Sequence, residues 1–410
     1  MVPYNNGDDD LRTHMADAAQ LTAEDEEDFR LRCRAVLDEH TVGDSGVEGG
    51  RRFLVAAAEA GMGGILYDKA YGGAGLTKKH DKIWREEKSS YPAMDSEFLI
   101  SHGMCLPVLN DFGTEEQKTR FMPKNITGEE MWCQMFSEPN AGSDVSSLQT
   151  RAVLDGDEWT INGQKVWTTL AHESRYGVII ARTNPEVPKH AGISMFIVDM
   201  EAAGVEMRPI HQIDGGQHFN EVFFTDARIP KDWLLGELNN GWNQATAMLM
   251  YERVAIGSMG GGDISQPNFD MLAEAAKTNG KISDPVVRDE LMQLYAMETT
   301  KSMVSMRARA EMKAGKAPGP GGSIGKLSHS IISRRVRSIA QNIYGPGSIA
   351  WQDDSDEGQH LSRLVLNSFQ AGIAGGTDEI QRNIIGDRVL GLPRDISVDK
   401  GVPFNELRTS

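Results

Sequence analysis

The sequence predicts an α+β protein with a helical N-terminal domain, a small antiparallel β-domain and a C-terminal domain built like a four-helix bundle. Two changes of pattern carry that expectation. Apolar residues recur at helical spacing up to about residue 125, and near Met131 they give way to short β-branched and aromatic runs separated by Gly, Asn, Pro and Asp. After Asn239-Asn240-Gly241 the helical period returns. The expected divisions are 1–130, with the first twenty or so residues frayed, then 131–238 and 239–410.

In the first part, Glu24–His40 is a helix with Phe29, Leu31, Cys33, Val36 and Leu37 as its apolar residues. Arg51–Gly61 is a second, stopped by Gly61. Tyr71–Leu76 is a glycine-rich loop, and Thr77–Ser89, Glu97–Phe112 and Glu115–Asn125 are further helices. In the middle part Arg151–Ile161, Val166–Leu170, Gly177–Arg182, Gly192–Val198 and Glu221–Thr225 are strands, with Asn162-Gly163 expected as a tight hairpin turn. In the last part Asp284 caps a long helix that has Pro285 at its first position. Gly315–Gly322 is a loop, Ser323–Tyr344 a helix, and the final helix runs from a Thr377 cap to Val389 before Gly391 and Pro393.

Composition narrows the function classes. With 40% hydrophobic and 25% charged residues among 410, this is the make-up of a globular protein with room for several cores. No stretch approaches the ~20 apolar residues of a membrane span. A net charge of −17, from 42 basic and 59 acidic residues, argues against nucleic acid and requires a local basic pocket for any anionic substrate. The three cysteines, Cys33, Cys105 and Cys133, are too scattered for a zinc site or a disulfide framework. Together with a polar, acidic start that resembles neither a secretory signal nor a transit peptide, they suggest the cytoplasm. No histidine spacing suggests a metal. Gly345–Ala350 fits a loose dinucleotide-loop pattern, but it follows a helix rather than a strand, and Pro346 removes a needed N–H.

Two stretches carry candidate chemistry. Phe136–Asp144 is a turn rich in Pro, Asn and Gly, bracketed by the hydroxyls of Ser137 and Ser143. Gln164–Thr169 ends in Trp167, Thr168 and Thr169. A hairpin at Asn162-Gly163 would bring the two together, either as ordinary structure or as a seat for a flat, hydrogen-bonding ring such as a flavin. In Asn243–Gly257, Ala245, Met248, Leu249, Ala255 and Ile256 make one apolar stripe, and Glu252 falls in the middle of it. A carboxylate there is either half of a structural ion pair or a general base whose pKa burial has raised.

Ser137-Glu138-Pro139-Asn140-Ala141-Gly142-Ser143-Asp144 followed by Lys165-Val166-Trp167-Thr168-Thr169 resembles the flavin-binding signature of the acyl-CoA dehydrogenase family. The resemblance implies FAD as cofactor, α,β-dehydrogenation of an acyl-CoA thioester, an electron-transfer flavoprotein as electron acceptor, and a homotetramer or hetero-oligomer. The same resemblance assigns Phe136, Ser137, Gly142, Ser143, Trp167 and Thr169 to the flavin and pyrophosphate, and Gln341, Gly345, Thr377 and Glu379 to the adenosine half. Arg253, Gly375 and Ser143 fall near the thioester, with the Gly375 N–H directed at its carbonyl oxygen. Most relatives carry their base just before Gly-Thr in the motif that reads Ala374-Gly375-Gly376-Thr377 here, and that glutamate is missing. Tyr251-Glu252-Arg253 is similar to the alternative base position of isovaleryl-CoA dehydrogenases, which selects Glu252.

Two departures stand out. Ala276-Lys277-Thr278-Asn279-Gly280 lacks the Arg and Phe that usually grip a neighbouring subunit's FAD, leaving Arg288 or Lys281 to compensate, and Gln134 replaces a common aromatic. They keep two other readings open: a catalytically silent subunit of a hetero-oligomer, and a related flavin oxidase or monooxygenase.

Overall fold

The computed structural model describes residues 22–43, 46–259, 268–314, 321–348, 356–394, 396 and 399–407; the N-terminal twenty, expected to be frayed, lie outside the described residues. The chain divides into two compact units, one formed by residues 1–102 and 109–131, the other by 103–108 and 132–410.

The first unit is helical. Helices α1 (Ala23–His40), α2 (Val47–Glu59) and α3 (Lys78–Lys88) precede α4 (Leu106–Phe112), of which residues 109–112 belong to this unit, and α5 (Glu115–Ile126). Helix α1 starts at a capping box, in which Thr22 Oγ1 accepts from the Asp25 N–H and Asp25 accepts from the Thr22 N–H. Phe29, Cys33 and Leu37 are buried at spacing four, whereas Leu31 lies off that stripe in solvent. Helix α2 begins four residues before the expected Arg51 and ends as expected, with Gly61 left-handed at φ 78°. The stretch expected as one helix over Glu97–Phe112 is instead a short 3₁₀ turn, a π-turn over Ser101–Cys105 and α4. Pro107 has no N–H to return to the carbonyl of Gly103, so a regular ladder cannot cross it.

The second unit opens with an eight-stranded sheet. Strands β1 (Trp132–Met135), β2 (Arg151–Asp155), β3 (Glu158–Thr169), β4 (Tyr176–Arg182), β5 (Ile193–Asp199), β6 (Val205–Pro209), β7 (Phe219–Pro230) and β8 (Leu234–Leu235) pair in the order β6-β7-β3-β2-β4-β5-β8, with β1 also on β4. The sheet is mixed rather than purely antiparallel, because β1 runs parallel to β4 and β2 meets β4 in parallel at Arg151 and Arg182. Strands β4 and β5 are buried almost throughout, around a core that includes Ile179, Phe196, Val198 and Trp159.

The Asn162-Gly163 hairpin does not form. Strand β3 continues through these residues and pairs with β7, with a register shift between Ile161 and Gly163. The Asn162 side chain is held by Asp226: its Nδ2 donates to Asp226 Oδ1 at 2.9 Å, and its Oδ1 accepts from the Asp226 N–H at 3.0 Å. A reciprocal clasp of this kind stabilises a bulge where a turn was expected. Glycine is required at 163 because a Cβ there would lie 2.4 Å from Thr150 Oγ1 and 2.7 Å from Thr150 Cα.

Among the described residues, six helices follow in this unit: α6 (Gly241–Met259), α7 (Phe269–Thr278), α8 (Pro285–Lys313), α9 (Gly321–Tyr344), α10 (Asp356–Asn367) and α11 (Asp378–Ile384). Asp284 caps α8 as expected, accepting from the Val286 N–H at 2.9 Å. Leu272 and Ala276 of α7, Val287, Leu291 and Leu294 of α8, and Ile332, Val336, Ile339 and Ile343 of α9 form one core. The apolar row of α9 is thereby covered within the chain, and it leaves only Ile331 partly in solvent. The uncovered row lies instead on α8, where Met292, Tyr295, Met303 and Met306 share one exposed face.

Gly163→Ala is expected to destabilise the protein by about 1–3 kcal/mol through overpacking against the Thr150 backbone. Urea unfolding followed by tryptophan fluorescence measures it, and an unchanged midpoint would show that the bulge tolerates a side chain.

Candidate active site

Both signature stretches belong to the second unit, where a buried ion pair joins them. On β3 the alternation that buries Trp159 and Ile161 also buries Lys165. Its Nζ lies 2.8 Å from Glu138 Oε1 and donates to the Phe136 carbonyl at 3.0 Å, with both charged side chains almost wholly excluded from solvent. Glu138 also accepts from the backbone N–H groups of Gln149 and Thr150 at 2.6 and 3.0 Å. The Val166 N–H adds a 2.9 Å bond to the Ser137 carbonyl. Burial pushes the Glu138 carboxyl upward, but Lys165 and the N–H donors outweigh it and hold the group below its ordinary value. The Glu138 carboxyl is therefore ionised at neutral pH, while burial draws the Lys165 ammonium below its ordinary value against the pull of Glu138.

The turn beyond Glu138 is closed by reciprocal bonds with Ala141, each 3.1 Å. It leaves Gly142 and Ser143 exposed, with open space where a Gly142 Cβ would stand. Asp144 ends the turn, accepting from Ser146 and Ser147 at 2.6 Å each. Lys189 bridges Asp144 at 2.7 Å and Asp399 at 2.5 Å, tying the turn to the C-terminal stretch. Arg182 donates to the carbonyls of Ser146 and Leu148 and lies 3.8 Å from the centre of the Phe404 ring. Burial lowers the Arg182 pKa to about 10, which leaves it cationic.

The register shift at Gly163 puts its extra residue on β7, whereas between Lys165 and Thr168 it is β3 that bulges. Trp167 takes a left-handed φ of 62°, costly for a bulky residue, and its ring stands 59% exposed with an edge toward Phe219. An outward indole, the half-buried hydroxyl residues Ser137 and Thr169, and the bare turn at Gly142–Ser143 fit a flat ring system carrying an anionic tail. The residues therefore suit FAD.

The carboxylate of Glu252 is half-buried on α6, whose Ala245 and Met248 are fully buried as the stripe predicted. The Arg253 side chain lies outside the described residues. Gly375 and Gly376 precede α11 in left-handed conformations, φ 65° and 88°. The nearest atom to a Cβ built on Gly375 is Glu252 Oε1, at 3.7 Å. Two stretches more than a hundred residues apart in sequence thus meet at one point.

Thr377 caps α11, accepting from the Ile380 N–H at 3.3 Å, while Glu379 is exposed and pairs with Arg382. Gln341 and Gly345 stand at the C-terminal end of α9, and no described hydrogen bond links them to Thr377 or Glu379. Sequence reasoning missed the roles of Glu138, Lys165 and Arg182 as organisers of the turn. Lys165 left a signal, since it shares inward parity with Trp159 and Ile161, and a lysine there requires a buried carboxylate.

A helical–sheet–helical frame, a turn and bulge fitted to a ring system, and a carboxylate facing a two-glycine turn define an oxidoreductase acting on the CH–CH bond of an acyl-CoA. The chain belongs to the acyl-CoA dehydrogenase family, whose N-terminal, middle and C-terminal domain models match residues 23–129, 133–227 and 239–390. It is 36% identical over 388 residues to the acyl-CoA dehydrogenase IpdE1 of Mycobacterium tuberculosis, covering 91% of this chain and 99% of that one. It is 30% identical to the cyclohexane-1-carbonyl-CoA dehydrogenase of Geobacter metallireducens over 74% of this chain and 80% of the relative. Among solved structures, the steroid acyl-CoA dehydrogenase Tcur3481-Tcur3483 superposes with a TM-score of 0.74 at 26% identity, covering 91% of this chain and 97% of that one. The ChsE4-ChsE5 complex of Mycobacterium tuberculosis gives 0.72 at 26%, covering 91% and 99%.

Lys165→Met strands the Glu138 charge and is expected to cost about 3–5 kcal/mol of stability. Because the folded Glu138 pKa is depressed, its contribution is complete above the unfolded carboxylate value and disappears as pH falls through the lower folded one. Thermal melts across acidic pH should show this loss in the parent and its absence in Glu138→Gln/Lys165→Met. Parallel pH curves for the two proteins would remove the pair from the stability account.

Proposed function

We propose that the chain is an FAD-dependent dehydrogenase that converts a bulky, ring-bearing acyl-CoA to its trans-2-enoyl thioester, with Glu252 as the base. The observation that carries this is the approach of Glu252 to the Gly375 turn, because it places a carboxylate where a base reaching in from residue 375 would otherwise lie. In this reading Glu252 removes the α-proton. The Gly375 N–H donates to the thioester oxygen as enolate charge builds, a type of interaction typically worth about 3–4 kcal/mol. Arg253 and Ser143 help seat the CoA ester. Bound FAD supplies the acceptor for the β-hydride. Phe136, Ser137, Gly142, Ser143, Trp167 and Thr169 hold its ring and pyrophosphate, and Gln341, Gly345, Thr377 and Glu379 its adenosine side.

The ring-bearing acyl group is supported by the steroid and cyclohexane-carbonyl relatives and by the side-chain-free wall at Gly375. An electron-transfer flavoprotein is the proposed electron acceptor. The division at 131 and 239 into three domains belongs to the same proposal. So does a cytoplasmic location, which the three buried free thiols support; no described helix is long and apolar enough to cross a membrane. For assembly, the uncharged exposed face of α8 and the two-component similar structures support an oligomer with a second copy or a paralogous chain. Sedimentation at micromolar concentration checks this, and a fully active 45.0 kDa monomer contradicts it.

The decisive substitution is Glu252→Gln, which keeps shape but cannot accept a proton. Anaerobic bleaching of the flavin by the best thioester from a panel of straight, branched and cyclic acyl-CoAs should slow by about 10²–10⁴-fold. FAD and thioester binding should persist. Bleaching at the parent rate would assign Glu252 to a structural ion pair. A parent that bleaches with no thioester, alone or with a partner subunit, would favour the silent-subunit reading, and faster turnover with oxygen than with an artificial acceptor would favour an oxidase.

A further inference from the structure

We infer that Gln381 is a positioning residue that sets the geometry of the Gly375–Gly376 turn, and through it the alignment of the thioester with Glu252; this rests on the function proposed above. Gln381 projects from α11 and is 2% exposed. Its Nε2 donates to two successive carbonyls, Gly375 O at 3.1 Å and Gly376 O at 3.3 Å. Both glycines are left-handed, and paired glycines have the fewest intrinsic restraints of any dipeptide. Fixing both carbonyls fixes the two peptide planes that flank Gly376, so the Gly375 N–H, carried by the preceding peptide, keeps only the rotation about its own N–Cα bond. The contact is tight: a Cβ on Gly376 would fall 2.7 Å from Gln381 Nε2, so the amide occupies the space that a side chain at 376 would need.

The first residue of α11 holds the helix in place. Asp378, 5% exposed, pairs with Arg334 at 2.8 Å and accepts from Ser330 at 3.1 Å, both on α9. Arg334 also closes on the other end of the turn, since a Cβ on Gly372 would meet its guanidinium at 3.1 Å. The turn is thus clamped through Arg334 and through Gln381, while Glu252 faces Gly375 from α6. Gln381 touches no reacting atom in this scheme. It acts only through the peptide it holds.

The test uses the FAD-loaded enzyme and phenylacetyl-CoA, a thioester with an acidic α-C–H and no β-hydrogen to lose. Exchange of its α-protons in deuterium oxide, followed by proton NMR, reports proton abstraction without any redox step. Gln381→Met, which keeps length but donates nothing, should slow exchange by about 10²-fold, the scale of a small misalignment, with thioester binding and thermal stability retained. Gln381→Glu supplies a pH signature. Its introduced carboxyl can donate to the carbonyls only when protonated, so exchange should fall as pH rises through its titration, opposite to the parent, where Glu252 must be ionised. Parent-like exchange in Gln381→Met, or a parent-like pH profile in Gln381→Glu, overturns the inference. Glu252→Gln separates the two levels of argument. If it still exchanges, or the parent does not, the proposed function fails; if it is inert while Gln381→Met matches the parent, only the role of Gln381 fails.

Discussion

The half of the site built from the two signature stretches depends on one buried contact, Lys165 with Glu138. Two charges removed from water are costly unless each finds further partners. Here the lysine also binds the Phe136 carbonyl, and the carboxylate collects the N–H groups of Gln149 and Thr150. Those extra bonds connect strand β3, the end of β1 and the approach to β2, so the pair fixes where three segments converge. The bulge of β3 follows at once, and it turns Trp167 outward at a left-handed φ. A strained residue persists only when its surroundings over-determine it. The ion pair on one side and the β7 ladder on the other supply that constraint.

Much of this was legible in the sequence because local chemistry and periodicity agree. The change from helical period to short β-branched runs and back located the three stretches, and the Asp284-Pro285 cap was readable because a cap and an N1 proline act locally. The errors have physical causes. Asn-Gly was taken for a hairpin turn because both a turn and a bulge need a residue without a Cβ, and only the distant Asp226 and Thr150 decide between them. The row Ile332, Val336, Ile339 and Ile343 is apolar at helical spacing, and α7 and α8 of the same chain cover it. Periodicity identifies an apolar face but not the element that will meet it.

Glu252 stands out in the sequence for a related reason: it breaks a rule. A carboxylate centred in an apolar stripe conflicts with the core around it, and such conflicts concentrate at functional sites. Sequence reasoning could not say what it faces. That depends on a turn far along the chain, whose glycines carry no side-chain pattern and whose shape is held by the Gln381 amide.

The proximity of Glu252 and Gly375 also explains why only one of the two positions carries an acid. A glutamate at 375 would begin with its Cβ within 3.7 Å of Glu252 Oε1. Two carboxylates crowded into a half-buried site cannot both ionise freely; one pKa rises sharply and the pair shares a proton. A site that needs one ionised base at neutral pH is therefore impaired by a second carboxylate, quite apart from steric crowding. In the proposed function, glycine at 375 would leave Glu252 as the single base, leave the thioester an N–H to bind, and leave the space beside it to the acyl group.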